Sequence, residues 1–436
     1  MSNKIRPVYI VDAVRTPQTT KSYPRRKLIG PIPRPFTAKP GKLSGVHPVD
    51  LGVTVADALV LRANLKDRRA IDEVSVGCAT PTGKQGFNVG KNIAKIALHP
   101  AVPADTDQFL CGSSLMAARK LTSLISSGDI DLAMALGVES MSPEGVGMGS
   151  DCLPPPTSLR NMLSVLRMGP KVSKLTMHRD AQIIPMGKSA GYIADEYEFT
   201  RRELDQFTID SNAKAFQARK EGRFAREIVP VETGKGRVVD QDDGIKLTDH
   251  ATLGRKEARW GIVTGSHASL ESDGAAGLLL ASEEALDKYN LVPRAKIIAT
   301  AVSATVSGGE KLQLTATIDA IEKVLKKADL NINDIDLFEI NEAFAPVVLA
   351  TAEDADISLS KVNVNGGALA LGHPLGVSGA RLVTTLLHEL ERQNKKLGLA
   401  VLCVGGGQAI AMIIERTNGK IPTVGFGSSF DADYLK

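Results

Sequence analysis

Aromatic residues make up only 4% of this 436-residue chain, which has a single Trp and four cysteines: Cys78, Cys111, Cys152 and Cys403. None of the cysteines forms a C-x-x-C pair, and no Cys/His group has zinc-ligand spacing. This argues against a disulfide framework and against structural zinc, so a reducing, cytoplasmic compartment is the expectation. No apolar run approaches the roughly 18 residues that would cross a bilayer. The opening residues MSNKIRPVYIVDAVRTP lack the long apolar core and cleavage site of a secretory leader. A net charge of +4 is too small to mark a nucleic-acid binder, so no nucleic-acid partner is expected.

What is present is ordinary globular composition, 43% apolar and 23% charged, with 40 glycines. Abundant Gly suits tight strand-to-helix turns and close backbone packing. Apolar patterning predicts a strand at 8–14, a helix at 50–64 and a strand at 73–78. A helix near 89–98, an extended approach to Cys111, a helix at 113–127 and a strand at 132–137 follow. Strands alternating with helices indicate an α/β layered fold.

Two regions break the rhythm. Residues 15–48 are rich in Pro, Lys and Arg and hold no acid, which predicts an extended surface arm. Residues 143 to 260 contain Pro154-Pro155-Pro156, a basic stretch Arg160–Arg179 and a charged helix at 201–221, and read as an inserted loop domain. The two basic segments fit either solvated surfaces or contacts to phosphates, an acidic partner or an anionic membrane.

The second half echoes the first. Ala70-Ile71-Asp72 before an apolar strand resembles Asp334-Ile335-Asp336 before 337–340. The Cys111 turn, helix 113–127 and strand 132–137 resemble the His373 turn, helix 378–390 and strand 399–404. Two similar halves would place both turns at strand C-terminal ends, where open α/β sheets carry their sites.

Four positions carry chemistry. Cys111 lies in F-L-C-G-S-S-L-M-A-A, a thiol just before a helix, where the dipole favours the nucleophilic thiolate. A buried structural Cys fits the same position. His373, between glycines in L-G-H-P-L-G, is a natural proton acceptor or a turn cap. Cys403 precedes Gly405-Gly406-Gly407, whose N–H groups form either an oxyanion site or a plain turn. Asn341-Glu342 ends the strand 337–340 and either orients a water or carbonyl or caps a helix.

Taken together, and in this order, C-G-S-S, G-V-E-S-M-S (137–142), N-E-A-F-A (341–345), G-G-A-L-A-L-G-H-P-L-G-x-S-G-A-R (366–381) and C-V-G-G-G-Q (403–408) resemble the thiolase family from about Pro7 to Arg416. The resemblance implies a thiolase-like α/β fold. It would have two similar βαβαβαββ halves in an α/β/α/β/α arrangement plus the loop domain. The expected division is 1–285 with the loop domain at about 143–260, then 286–416, then a 417–436 tail. The resemblance also implies an acyltransferase that cleaves or forms 3-ketoacyl-CoA by ping-pong chemistry. Cys111 would carry the acyl group, and His373 would activate it. His373 and an Asn341-held water would bind the thioester oxygen, Cys403 would move the α-carbon proton, and the Cys111 and Gly405 N–H groups would hold the oxyanion. Coenzyme A enters as substrate, with no tightly bound cofactor and no metal. Its contacts map to Met186, Gly265, Ser269 and Phe344.

Departures from the family pattern are Gln108, Ser114, His267, Thr315-Ala316 and Ala409. They argue against the simplest acetoacetyl-specific subtype, which stands as the alternative reading. Asn341-Glu342 and the long basic loop give conflicting subtype signals. A β-oxidation complex partner and a homodimer or homotetramer are further implications. A ketoacyl synthase on carrier-bound chains fits less well, because of Cys403. A non-catalytic lipid- or CoA-binding protein fits less well because all four site residues are present.

Overall fold

The computed structural model describes residues 5–20, 41–142, 185–234, 236–305 and 313–418. Cys152, the Pro154–Pro156 run, the basic stretch 160–179, residues 21–40 of the arm and nearly all of the tail lie outside the described residues.

The first half runs β1 (Val8–Arg15), α1 (Pro48–Arg62), β2 (Glu73–Gly77), α2 (Val89–Ala97), β3 (Ala104–Asp107), α3 (Ser113–Ser127) and β4 (Leu132–Glu139). Helices α4 (Met186–Glu196) and α5 (Arg201–Lys220) and two short hairpins then intervene before β5 (Ser272–Ala281). The second half runs β6 (Ala295–Ala304), α6 (Ala316–Ala328), β7 (Leu337–Ile340), α7 (Ala345–Asp354), α8 (Ser378–Arg392), β8 (Leu397–Val404) and β9 (Gln408–Arg416). The strand order is β7-β8-β9-β6-β1-β5-β4-β2-β3. Strands β3, β2 and β4 are parallel, then β5 and β1 are antiparallel. The other half repeats this: β7 and β8 are parallel, then β9 and β6 are antiparallel. A single parallel bridge, Phe338 to Val362, stands where β3 stands in the first half. The halves meet where β1 pairs antiparallel with β6, from Val8 opposite Ile297 to Ile10 opposite Ala295.

The duplication reaches single hydrogen bonds. Asp72 Oδ2 accepts from the N–H groups of Asp131 and Leu132 at 2.8 and 2.9 Å. Asp336 Oδ2 accepts from those of Lys396 and Leu397, both at 2.9 Å. In each half a carboxylate before the second strand caps the turn that enters the strand after the central helix.

Three apolar clusters define the layers. Val55, Leu59 and Ile93 of α1 and α2 pack on Val76, Leu136 and Leu279 of the first sheet. Val324 and Val347 of α6 and α7 pack on Val401, Ala411 and Ile413 of the second. Between the sheets lie α3 and α8, with Leu115, Leu121, Leu386 and Leu387 against Ala135, Leu278, Leu402 and Ile410. The layering is therefore α/β/α/β/α. Each such Leu contributes about 1.5–3 kcal/mol by leaving water. Helix α8 is buried at every residue from Ser378 to Leu390, as a middle-layer helix must be. It approaches α3 closely because Gly379 has no Cβ; one there would sit 2.6 Å from Leu115 Cβ.

The expected surface arm needs correction where it is described. Residues 15–20 are all buried, and Thr19–Thr20 pair with Ser272–Asp273 of β5. Arg15 is fully buried because two carboxylates meet it: Glu227 at 2.7 Å and Asp242 at 2.7 and 2.9 Å. A lone buried guanidinium would be costly, and paired and hydrogen-bonded it is tolerated. Among the described residues no helix is long and apolar enough to cross a membrane.

Candidate active site

Cys111 sits in a single 3-10 turn, Leu110–Gly112, directly before α3. The hydroxyl of Ser113 staples this turn, accepting from the Phe109 N–H at 2.9 Å and donating to the Leu110 carbonyl at 2.6 Å. Leu110 adopts φ 45°, a strained conformation for a side-chain-bearing residue, which turns the chain sharply at the nucleophile candidate. The helix end does not produce a resting thiolate. Burial pushes the Cys111 thiol up to about 12, and the charge of Glu139 adds to this. The backbone N–H groups of Gly405 and of Cys111 itself act in the opposite sense. Part of the residue stays accessible, but its sulfur lies in an apolar enclosure formed with Phe109, Leu110 and the core between the sheets. Desolvation therefore outweighs the dipole, and a base is needed to ionise the thiol.

His373 comes from the matching turn before α8 and is only 4% exposed. Its Nδ1 lies 2.5 Å from Ser378 Oγ, and its Nε2 lies 3.3 Å from Asn341 Nδ2. Burial, helped by the Arg381 charge, lowers the imidazole to about 3, so it is neutral. Asn341 follows β7 and is anchored by its N–H to the Val401 carbonyl at 3.0 Å. Its Oδ1 is buried and has no hydrogen-bonding partner among the described residues. The neighbouring Glu342 has a different task. It accepts from Ser211 Oγ at 2.7 Å, Asn363 Nδ2 at 2.9 Å and the Leu369 N–H at 3.0 Å. It thereby fixes the loop that leads to His373.

Cys403 is the penultimate residue of β8 and is buried. Burial raises its thiol, and the nearby Cys111 raises it further. Gly405, Gly406 and Gly407 turn β8 into β9, the last two with φ 80° and 78°, which favour glycine. Gly405 lies against the side chain of Leu110, since a Cβ there would sit 2.7 Å from its terminal methyl. The structure thus brings Cys111, His373, Asn341, Cys403 and Gly405 to one place at the strand ends of both halves.

The four expected coenzyme A contacts gather beside it. Met186 begins α4 and packs in one cluster with Trp260 and Phe344, whose rings meet edge to face at 6.2 Å. The Ser269 N–H donates to the Ala343 carbonyl at 3.0 Å, and the Ala345 N–H to the His267 carbonyl at 2.8 Å. A Cβ on Gly265 would meet nothing within 4 Å, so this position faces open space. Among the described residues no group of His, Cys, Asp and Glu is arranged to hold a metal ion.

Sequence reasoning assigned no role to Ser378, Glu139 or Trp260. Ser378 and Glu139 lie within the motifs 366–381 and 137–142, so their letters are the available signal. Three of the unusual residues have physical accounts. Ser114 Oγ accepts from the Ala380 N–H at 2.9 Å, satisfying an otherwise unpaired donor in the first turn of α8. Gln108 donates to the Ala79 carbonyl at 3.0 Å. His267 is buried, accepts from the Thr264 N–H at 3.1 Å and meets Asp205 Oδ1 at 2.7 Å through its other nitrogen. Nothing in the structure explains Ala409.

Residues 28–284 match the thiolase N-terminal domain, and residues 292–416 match the thiolase C-terminal domain. The chain is 38% identical to a beta-ketoadipyl-CoA thiolase of Acinetobacter baylyi, covering 94% of this chain and 99% of that protein. It is 36% identical to a steroid 3-ketoacyl-CoA thiolase of Mycobacterium tuberculosis, covering 94% of each. The crystal structure of the Bacillus anthracis acetyl-CoA acetyltransferase superposes with a TM-score of 0.80 at 31% identity, covering 95% of this chain and all of that one. The chain belongs to the thiolase family.

Proposed function

We propose that in this thiolase-family acyl-CoA C-acyltransferase Cys111 carries the acyl group between a 3-ketoacyl-CoA and coenzyme A. The observation that supports the proposal is that the Gly405 N–H and Cys403 both act on or sense Cys111, while the neutral, buried His373 belongs to the turn that packs against the Cys111 turn. In thiolysis, the Cys111 proton passes to His373 Nε2 and the sulfur attacks the 3-keto carbon. The bond between C2 and C3 breaks, and its electron pair leaves on an acetyl-CoA enolate. Cys403 protonates C2, acetyl-CoA departs, and Cys403 is left as thiolate. A second coenzyme A gives its thiol proton to Cys403 and attacks the acyl-Cys111 thioester. Cys111 leaves and recovers its proton from His373. Every step is reversible, so the same groups serve Claisen condensation.

Each role matches a feature of the site. A neutral imidazole can accept a proton, whereas a charged one cannot. The N–H groups of Cys111 and Gly405 suit the developing oxyanion, in a site where low polarity strengthens hydrogen bonds. Asn341, tied to His373 and with its oxygen buried and unpaired among the described residues, suits a water that binds the thioester oxygen. Met186, Gly265, Ser269 and Phe344 form the pantetheine-side wall in this reading.

The substrate is a 3-ketoacyl-CoA beyond the acetoacetyl size. Support comes from the altered turn residues Gln108 and Ser114, and from relatives named for β-ketoadipyl and steroid substrates. The proposal extends to β-oxidation, a reducing cytoplasmic location and a homodimer or homotetramer. It also extends to the division into halves at 1–285 and 286–416. The free thiols Cys78, Cys111 and Cys403 fit a reducing compartment. The test is thiolysis across short, medium, long, dicarboxylic and ring-bearing 3-ketoacyl-CoAs, with mass spectrometry of the Cys111 peptide. Turnover of acetoacetyl-CoA alone would remove the substrate claim; no adduct at Cys111 would remove the nucleophile.

A further inference from the structure

Glu139 ends β4 fully buried, yet all its hydrogen-bonding partners among the described residues are neutral donors. Oε2 accepts from the Ala79 N–H at 2.8 Å and from the Gly376 N–H at 2.8 Å. Oε1 accepts from the Thr80 N–H at 3.3 Å, Gln85 Nε2 at 3.1 Å and the Thr80 hydroxyl. A buried carboxylate without a cation is costly, and donors of this number are what stabilise it. Four of the five come from the turn after β2 in the first half. The fifth comes from the second half, three residues beyond His373.

That contact is fitted at atomic scale. A Cβ on Gly376 would lie 2.7 Å from Glu139 Oε2 and 2.8 Å from the Ala79 nitrogen. A Cβ on Gly137, two residues before Glu139, would lie 2.7 Å from the Gly376 carbonyl oxygen and 2.8 Å from Val377 Cα. Two glycines therefore let the His373 turn lie directly on the end of β4, and the carboxylate holds it there.

We infer that Glu139 is a positioning residue, an anionic clasp between the halves that sets where the His373 turn stands relative to Cys111. The role rests on the reading of Cys111 as the nucleophile. It has a second consequence, because the clasp is charged. The same carboxylate opposes ionisation of Cys111, which raises the demand on the base that takes its proton. Glu139 from β4 is the ionisable group acting on Cys111, and Cys111 in turn acts on Cys403 of β8. His373 stands on the facing turn with Arg381 of α8 acting on it, and Glu139 acts on Cys78 as well.

The test separates geometry from charge. Glu139→Gln removes the charge and turns an amide NH₂ toward backbone donors. It is expected to lower kcat on the order of 10²-fold, the cost of a misplaced catalytic group. The pH profile of Cys111 alkylation by iodoacetamide, read at the Cys111 peptide, is expected to move to lower pH. Gly376→Ala keeps the charge but pushes the turn away, so kcat should fall while the alkylation profile stays. Thr80→Val, a milder change that removes one donor, should lower kcat several-fold and serves if either variant fails to fold. Wild-type kcat in Glu139→Gln, or an unmoved alkylation profile, overturns the clasp. A wild-type protein that cleaves no 3-ketoacyl-CoA removes the nucleophile reading instead, and the alkylation profiles still decide whether Glu139 acts on Cys111.

Discussion

Ser378 Oγ stands 2.5 Å from His373 Nδ1 and 2.9 Å from the Pro374 carbonyl oxygen. A carbonyl can only accept, so the hydroxyl proton goes to Pro374 and the hydroxyl oxygen is left to accept from Nδ1–H. That assigns the tautomer: Nδ1 carries the proton, and Nε2 presents its lone pair to the site. Asn341 Nδ2, 3.3 Å from Nε2, fits the same assignment as a donor.

Ser378→Ala should therefore impair catalysis without removing any group that touches substrate. We expect kcat to fall about 10- to 100-fold, a loss within the range of general-base catalysis, with KM for coenzyme A little changed. Ser378→Thr keeps a hydroxyl and should recover much of the loss. A Ser378→Ala enzyme with unchanged kcat would show that the tautomer is set by other means.

The two cysteines should separate in single-turnover experiments. Cys111→Ala should abolish acyl transfer and the acyl adduct. Cys403→Ala should lower kcat by roughly 10²–10⁴-fold, as expected for a missing acid/base, while acylation of Cys111 remains detectable by mass spectrometry. Near-normal turnover in Cys403→Ala would assign the α-carbon proton elsewhere.

The pH dependence follows from the two depressed or raised groups. Burial holds Cys111 near 12, so in the resting enzyme alkylation should rise about tenfold per pH unit across the neutral and alkaline range. Burial holds His373 near 3, so kcat should show no acid limb from this group between about pH 5 and pH 8. For stability, a depressed His favours the folded state above its unfolded pKa. Its contribution is lost as pH falls from about 6.5 toward 3. His373→Asn should flatten that part of a Tm-against-pH curve. A curve of unchanged slope would contradict the assignment.

Asp205 ties the His267 loop to α5, accepting from Arg201 Nε at 3.0 Å as well as meeting His267 at 2.7 Å. Asp205→Ala leaves His267 Nε2–H buried and unpaired. We expect a loss of about 1.5–3 kcal/mol in urea unfolding, the scale of hydrogen bonds to a charged group. KM for coenzyme A should rise severalfold, with kcat nearly unchanged. A lowered kcat at constant KM would place this contact in the chemistry rather than in coenzyme A binding.

Arg15→Ala tests the correction to the supposed arm. It strands the buried carboxylates of Glu227 and Asp242, and breaking a buried pair in this way costs about 3–5 kcal/mol. A solvated arm residue would change stability by no more than about 0.5 kcal/mol in chemical denaturation.

Much of this protein was legible in its letters because the information was local. Cys111, His373, Asn341 and Cys403 each sit at a boundary where apolar periodicity stops and small or polar residues begin. Helix 113–127 and strand 337–340 were bounded as found. The repeat of Asp72 and Asp336 was visible as similar tripeptides, and the structure shows why: both carboxylates cap the same turn. Arg15 is not legible in this way, because a basic residue in a Pro-rich stretch looks solvated. Its partners, Glu227 and Asp242, lie more than 200 residues away.

The sequence by itself determined the order of elements, the two halves and the chemical kinds of group delivered to the strand ends. Those depend on periodicity, turn residues and side-chain type, all read along the chain. Only the tertiary structure decided the protonation states. Cys111 at a helix start suggested a thiolate, yet enclosure and the charge of Glu139 keep it a thiol. His373 is neutral, and Ser378 points its lone pair inward, because both are buried in the turn against α8. Desolvation and hydrogen-bond direction arise between elements distant in sequence, so no local pattern of residues encodes them.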